Sequence, residues 1–597
     1  MSKVNFVLKE NPIKEFSLDY LKDYLESLGI SQTDSFMKAP RLEDQELYDG
    51  LDNIFEAVES LHTGFQNNKK FFLQVDSDAD GYTSGAIFYA FFKKLYPDAQ
   101  IEFRLHEEKE HGIILDTVPI DADYIIIPDA GSNQFDEQQE LSSKGYKVII
   151  LDHHKVDNAP TFENVIVVNN QASSDFKNKF LSGAGVVYKT IQAYNKVYSS
   201  EFPEMIYEDF ADLAALGIIA DMMDTKNLDN NYIIFKGLKN IKNPLIRSLL
   251  EKQQFSIERS GGDIEDPSKI NIAFYIAPLI NAMIRFGTQE EKTEFFKGLI
   301  NYDSEEIVET VYRGQNRKEN YYDYLSRIAT NVRARQNREK TKCMEFLKNR
   351  VETQKLHENQ LIIVKVSKDD KVVIPKTITG LVAMELLKEY KKPILVLRPR
   401  TNEDGETVYA GSGRGKANGH FKSLYQLLKD SNLCEYVEGH DMAHGVEIKA
   451  ENIDKVVDYA NKKLSDIEFN VETIEVDYAF TNVNVNQEMI MQFGTIMNIY
   501  GNGIPQPKFG FKLKVARGSI RFVGGAGNML SLQIEGVSFI KFFGCDEIKK
   551  KIEDSTSLLF EFTLVGRAQI NEYNGRKTPQ IIVDEADVEP IDLNYLF

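Results

Sequence analysis

Between residues 70 and 220 short apolar runs alternate with helix-like segments, and this alternation narrows the possible folds more than anything else in the chain. The runs FFLQV (71–75), YIIIP (124–128), KVIIL (147–151) and NVIVV (164–168) are short, apolar and rich in β-branched residues. That is the signature of buried strands. Helical spacing fills 84–96, 182–197 and 205–219. Strands that alternate with helices build an open, mostly parallel sheet, and such sheets bind ligands at the C-terminal ends of their strands. Here those ends carry Asp76, Asp78 and Asp80, then Asp129, then Asp152, His153 and His154.

The rest of the chain is organised differently. With 597 residues, about four domains are expected at roughly 150 residues each. Residues 1–68 are polar with helical periodicity. Residues 302–358 lack a strand pattern and read as long helix, and 311–350 carry eleven Lys/Arg against four Asp/Glu. A second α/β pattern follows, with LIIVKV (361–366), a helix near 378–390 and PILVL (393–397). Beyond about 472 the sequence is nearly all short β segments with Gly turns. Expected domains are therefore 1–300, 301–358 as a helical connector, 359–470 and 471–597.

Charge and cysteines exclude some functions. The chain has 71 basic and 91 acidic residues, a net −20, which argues against binding nucleic acid by bulk charge. A local basic groove remains open to it: KFGFKLKVARGSIR (508–521) has five basic residues, no acids and two aromatics. Such interleaving suits single-strand binding, and an amphipathic strand with a basic outer face explains it nearly as well. The three cysteines form no CxxC, as expected of reduced thiols in a cytoplasmic protein. No signal peptide is visible, and the most apolar stretch, Ala273 to Ile284, is interrupted by Pro278 and Asn281. A membrane span is not expected.

The acidic residues are the chemical centre of the sequence. Asp76-Ser77-Asp78-Ala79-Asp80-Gly81 puts three carboxylates just past a strand. Carboxylates are hard donors suited to Mg²⁺ or Mn²⁺. The run also opens like an EF-hand loop, but Ile87 stands where that loop needs Glu. A solvated acidic turn is the other plain reading. Asp129 alone would serve as a helix N-cap as readily as a ligand. A neutral imidazole ligates transition metals, and a second can act as an acid. Asp221 ends an apolar helix, where a carboxylate opposes the helix dipole and calls for a positive partner. The ordered set on one sheet edge fits two metal ions that activate a water and stabilise the leaving oxygen of a phosphodiester.

The motifs VDSDADG (75–81), IPDAGSN (127–133), LDHHKVDN (151–158) and DLAALGIIAD (212–221) resemble, in order, the four acidic motifs of the DHH phosphoesterases, specifically the RecJ-type single-strand exonucleases. The likeness extends to VVNNQ (167–171), LSGAGVVYK (181–189) and PLINAMIRFG (278–287). KTITGLVAMELLKEYKKPILVL (376–397), GSGRG (411–415) and EGHDMAHG (438–445) resemble the DHH-associated domain, with Glu438 in place of a Gly and His444 in place of an Ala. GNGIPQPKFG (501–510) and NEYNGRKTPQIIVDE (571–585) resemble the RecJ OB-fold. The implied class is α/β: a DHH-type parallel-sheet domain, a helical connector, a DHH-associated α/β domain and a C-terminal OB-fold β-barrel.

This resemblance implies that Asp76, Asp78, Asp80, Asp129, His153 and Asp221 ligate two divalent cations, Mn²⁺ or Mg²⁺. Asp80, Asp129 and His154 would stand at the reacting centre, His154 contacting the scissile phosphate or assisting proton transfer. Asp152 would orient a histidine as outer support. Arg104, Ser412 and Arg414 would hold the 5′ phosphate, Asn281 and Arg285 would face the strand, and His440 would line the phosphate channel. Guanidinium forks and Gly-rich backbone N–H groups both suit phosphate. The basic residues Arg313, Arg317, Arg327, Arg333, Arg335 and Arg338 lie along the DNA track or form a solvated helix face.

The implied activity is hydrolysis of single-stranded DNA from its 5′ end in repair, recombination or replication. The chain would be a monomer, with a single-strand-binding protein or a helicase as partner. Two alternatives stay open: a phosphodiesterase of short oligonucleotides or cyclic dinucleotides, and an inactive replication scaffold.

Overall fold

A computed structural model describes residues 4–9, 19–107, 110–156, 160–203, 205–312, 314–402, 405–417, 421–467, 469, 473–525, 527–573 and 575–592. The chain divides into two compact units, one of residues 6–330 and 474–597, the other of 1–5 and 331–473.

After a short strand β1 (Asn5–Leu8), the larger unit builds a five-stranded sheet. Its strands are β2 (Lys70–Val75), β3 (Gln100–Leu105), β4 (Tyr124–Pro128), β5 (Lys147–Asp152) and β6 (Val165–Asn169). The order is β3-β2-β4-β5-β6, and every pairing is parallel. Ile125, Ile126, Ile149 and Ile150 are fully buried, as parallel strands covered on both faces must be. Burying each such side chain stabilises the fold by about 1.5–3 kcal/mol.

The helix Ala79–Leu95 leaves the C-terminal end of β2, and the helices Gly183–Val197 and Ala211–Ala220 pack against it. Ala211–Ala220 is buried along nearly its whole length, which accounts for its apolar sequence from Leu213 to Ala220. Parallel pairing aligns the strand ends: Pro128 faces Leu151, and Asp152 faces Asn169. The acidic motifs therefore gather along one edge.

The long-helix expectation for 302–358 is corrected at its start. β7 (Ile307–Tyr312) and β8 (Gln315–Asn320) form an antiparallel hairpin, and helix begins only at Tyr321 and runs to Thr353. Glu319 on β8 takes both Arg317 and Arg327, so these two basic residues are paired within the hairpin and the first helical turns. Arg313 lies outside the described residues.

The smaller unit holds β9 (Ile362–Lys365), β10 (Ile394–Thr401), β11 (Thr407–Arg414), β12 (Tyr436–His440) and β13 (Ala443–Lys449). Their order is β12-β13-β11-β10-β9, with only β9–β10 parallel.

β14 (Thr473–Val476) pairs with β1. The C-terminal sheet of the larger unit comes next, with β15 (Tyr478–Thr481), β16 (Phe509–Ala516), β17 (Arg521–Val523), β18 (Met529–Ile534), β19 (Val537–Lys541), β20 (Leu559–Tyr573) and β21 (Arg576–Pro590). Its order is β15-β16-β20-β21-β19-β18-β17. Its core also takes Leu21, Tyr24 and Leu25 from the helix Tyr20–Ser27.

In β16 Phe509 and Phe511 are fully buried in that core, while Lys512 and Lys514 face outward. The interleaving in the sequence is thus the inside–outside alternation of a strand, and these two rings are not available to stack on bases. Cys343, Cys434 and Cys545 are all free thiols. Among the described residues no helix is long and apolar enough to cross a membrane.

Candidate metal centre

Each acidic side chain is positioned by the end of an element. Asp78 is the N-cap of the helix Ala79–Leu95, its carboxylate accepting the Gly81 N–H at 2.9 Å. Asp80 lies in the first turn, buried, and accepts the N–H groups of Gly183 and Ala184 at 2.6 and 3.1 Å. Those amides open the helix Gly183–Val197, so its positive end faces a carboxylate. Within SGAG, Ser182 caps this helix by accepting the Gly185 N–H, and a Cβ on Gly183 would stand 2.7 Å from Asp129 Cα.

Asp129 follows β4 with φ 66°, a left-handed conformation that costs a non-glycine residue about 1 kcal/mol or more. It does not cap a helix; the next one begins at Phe135 behind Gln134. Asp76 and Asp80 are buried, which removes the solvated-turn reading.

Three overlapping groups of donors result, each with ligand atoms within 4.8 Å of one another: Asp80, His153 and Asp221; Asp76, Asp78 and Asp129; and Asp129, Asp152, His153 and His154. His153 Nε2 is 3.2 Å from Asp129 Oδ1, 3.5 Å from Asp221 Oδ2 and 3.9 Å from Asp80 Oδ2, which links the groups.

The electrostatics are those of a site short of positive charge. Burial, then Asp76 and Asp80, raises the Asp78 carboxyl. Burial, then Asp80, Asp78 and Asp76, raises Asp129 well above the usual range. Burial, with Asp80 and Asp78, pushes Asp221 up to about 8. Burial is the largest influence on His153 and lowers it, against the pull of Asp80. Asp129 Oδ1 is buried and has no hydrogen-bond donor among the described residues. His153 Nε2 and Asp129 Oδ1 thus stand 3.2 Å apart with no hydrogen bond between them, an arrangement that a cation held by both would stabilise. Hard oxygens plus one imidazole fit Mn²⁺ or Mg²⁺.

Asp152 is built as a support. Its Oδ2 accepts the Ser132 N–H at 3.0 Å; its Oδ1 accepts the N–H groups of His153 and His154 and His154 Nδ1, the last at 2.7 Å. Burial opposes its charge, but His154 and His153 outweigh this and hold the carboxyl below the usual range. In return its hydrogen bond raises His154 to about 9, above the cost of burial. His154 is therefore a cation whose Nδ1 is occupied and whose side chain is 45% exposed. Asn169 Nδ2 also holds the His154 carbonyl at 2.9 Å, a role its position in VVNNQ did not reveal.

His111 was also not legible as a site residue. Its Nδ1 lies 2.7 Å from Asp76 Oδ2, while Gly112 N donates to Asp76 Oδ1 at 3.1 Å. The His111 ring stands edge-on to His154 at 5.3 Å. Arg104 is not at the carboxylates: it pairs with Glu110 at 2.8 Å and reaches His106 Nδ1 at 3.1 Å. Asn281 and Arg285 are four residues apart on the helix Ala277–Phe286, and the Arg285 charge lowers Asp78.

Ser412, Arg414 and His440 belong to the smaller unit. Ser412 Oγ is 2.9 Å from Thr379 Oγ1, at the start of the helix Thr379–Tyr390, and Arg414 Nη2 lies 2.5 Å from where a Cβ on Gly380 would stand. Serine and arginine thus adjoin a helix N-terminus on one sheet face. His440 is exposed, and its carbonyl lies 3.3 Å from the buried His444 Nδ1.

Residues 70–218 match the model of the DHH family, N-terminal domain, and residues 476–585 match the RecJ OB domain. YorK of Bacillus subtilis, an SPbeta prophage protein whose given name is that of a single-strand DNA-specific exonuclease, is 36% identical over 581 residues, spanning 96% of this chain and 97% of that one. The single-stranded-DNA-specific exonuclease RecJ of B. subtilis is 24% identical over 584 residues, spanning 94% of this chain and 67% of the relative. The crystal structure of Thermus thermophilus RecJ with Mn²⁺ superposes with a TM-score of 0.70 at 19% identity, covering 99% of this chain and 80% of that one, and so shares its fold.

Proposed function

The chain belongs to the RecJ-type single-strand-specific exonucleases of the DHH family, and from that premise we propose that it hydrolyses single-stranded DNA from the 5′ end, releasing nucleotides. The observation that carries the reading is the pair of donor groups linked by His153 and Asp129. Asp80, His153 and Asp221 would hold one divalent cation, and Asp76, Asp78 and Asp129 the other. Bound there, two such ions would supply charge neutralisation and an activated water for in-line attack on a phosphodiester.

The chain's own groups do the rest. His154, kept protonated by Asp152, donates from Nε2 to a phosphoryl oxygen as negative charge builds. Arg285 and Asn281 guide the strand past the carboxylates. Ser412, Arg414 and the first turn of the helix Thr379–Tyr390 hold the terminal phosphate, with His440 beside them. Arg104 enters as a second phosphate contact once it releases Glu110. The exposed Lys512 and Lys514 of the C-terminal sheet draw in the strand.

The test is incubation with Mn²⁺ and end-labelled single strands, duplexes and dinucleotides. Progressive loss of single strands from the 5′ end supports the reading, and cleavage of dinucleotides alone overturns it. Asp129→Ala and His154→Ala are expected to abolish cleavage. Full activity in both would refute the site.

A further inference from the structure

We propose that Asn502 is a positioning residue of the metal centre, through which the C-terminal sheet domain fixes Asp221. The inference rests on the reading of Asp221 as a ligand and extends it to a residue outside the acidic motifs.

Asp221 is the C-cap of the helix Ala211–Ala220, and the chain leaves it through an unfavourable turn. Met222 has φ 58°, the left-handed conformation that glycine normally supplies after a helix. Met222 N reaches the Ile219 carbonyl at 3.2 Å and Met223 N the Ile218 carbonyl at 3.1 Å, closing the helix end. A side chain in this conformation persists only where its surroundings enforce it. The enforcement comes from 280 residues away.

Asn502 Nδ2 donates to the Met222 carbonyl. The Asn502 carbonyl accepts from both Thr225 N, at 2.9 Å, and Thr225 Oγ1, at 2.7 Å. One residue therefore grips both ends of the segment Met222–Thr225, immediately after the ligand. The grip demands close approach. Gly503 has φ 82°, and a Cβ there would lie 2.7 Å from Asp224 Cγ and closer still to its Oδ1. The turn Gly501–Ile504, closed by reciprocal backbone bonds of 2.9 and 3.2 Å, holds Asn502 in place.

The Asp221 carboxylate is held less firmly than its neighbours. Its side chain is one-third exposed, and it approaches His153 Nε2 at 3.5 Å. Asp80, by contrast, accepts two backbone amides. Releasing the Met222 carbonyl lets the turn relax toward φ < 0 and carries the Asp221 carboxylate away from His153. Groups that bond a metal ligand directly are worth roughly 10–100-fold in metal affinity; Asn502 acts on Asp221 through the Met222 backbone, which places it at the lower end of that range.

The experiment measures Mn²⁺ binding calorimetrically on metal-stripped full-length protein without DNA, for wild type, Asn502→Ala, Thr225→Val and Thr225→Ser. Single-strand affinity in EDTA and melting temperature are measured alongside. Expected are at least 10-fold weaker Mn²⁺ binding at one site in Asn502→Ala, a smaller loss in Thr225→Val, and near-wild-type binding in Thr225→Ser, with DNA affinity within twofold throughout. Cleavage by Asn502→Ala should recover at saturating Mn²⁺. Unchanged Mn²⁺ affinity in Asn502→Ala and Thr225→Val overturns the proposal, as does equal loss in Thr225→Val and Thr225→Ser. Wild type that binds no Mn²⁺ refutes the metal-centre reading instead.

Discussion

Gly217→Ala separates the demands of the helix from those of the site. Gly217 lies inside the helix Ala211–Ala220, where replacing glycine by alanine ordinarily stabilises by about 1 kcal/mol. A Cβ there would stand 2.5 Å from Ala184 Cβ, 2.7 Å from Thr83 Oγ1 and closer still to Asp80 Oδ1. Carbon–carbon contacts are optimal near 3.5–4.0 Å, so the overlap is about 1 Å against fully buried neighbours. Overpacking of that kind costs about 1–3 kcal/mol, enough to cancel or reverse the gain in propensity. Asp80 is held by two amides of the helix Gly183–Val197, so the overlap is relieved by shifting carboxylate and helix start together, and a displacement of about 1 Å at a reacting centre costs on the order of 100-fold in rate. The assay pairs thermal unfolding of the metal-free protein with single-strand cleavage at saturating Mn²⁺. Expected are an unchanged or lower melting temperature and a rate lower by about 100-fold. A variant that melts higher and cleaves at the wild-type rate would refute the packing of Asp80 against this helix.

Three further outcomes are set by the electrostatics. Asp152→Asn keeps an acceptor for His154 Nδ1 but removes the carboxylate charge that holds His154 at about 9, so in the metal-free protein the His154 imidazole should titrate well below 9 by NMR. Asp221 sits at about 8, so protons compete with the cation below that pH; Mn²⁺ affinity should rise with pH up to about 8 and then flatten, with proton release on binding seen in buffers of different ionisation enthalpy. Lys269 is buried and donates to Asn231 Oδ1 at 2.9 Å, and burial lowers it to about 7. From pH 7 to about 10.5 the unfolded chain holds this proton and the folded one does not, so stability rises with pH across that window, and the burial penalty is complete below it. Lys269→Met should therefore stabilise by about 2 kcal/mol at pH 6, allowing for the partner lost by Asn231, and should not stabilise at pH 10.5; chemical denaturation at both values checks it.

The sheet and its acidic edge were legible because parallel strands are coded by local apolar runs, and because Asp76 to Asp80, Asp129 and Asp152 to His154 each sit directly past one. The hairpin at 307–320 was not. β8 reads QNRKEN, nearly all exposed polar residues, and is held by backbone pairing and by Glu319 rather than by an apolar face. Its charges merged with those of the following helix. His111 and Asn169 were missed for another reason. Their contacts join residues 35 and 15 positions apart, and nothing in their immediate sequence marks them as partners of an acid or a histidine carbonyl. Phe509 and Phe511 left two readings open because a strand's alternation looks the same whichever face meets solvent.

The core of the C-terminal sheet also carries a consequence in time. Tyr24 donates its hydroxyl to the Pro505 carbonyl, 481 positions later, and Leu21 and Leu25 share that buried cluster. During synthesis at roughly 5–20 residues per second, the helix Tyr20–Ser27 waits on the order of a minute for the strands that cover it. For that interval its apolar face is open, and the nascent chain is vulnerable at this helix until the distant strands are made.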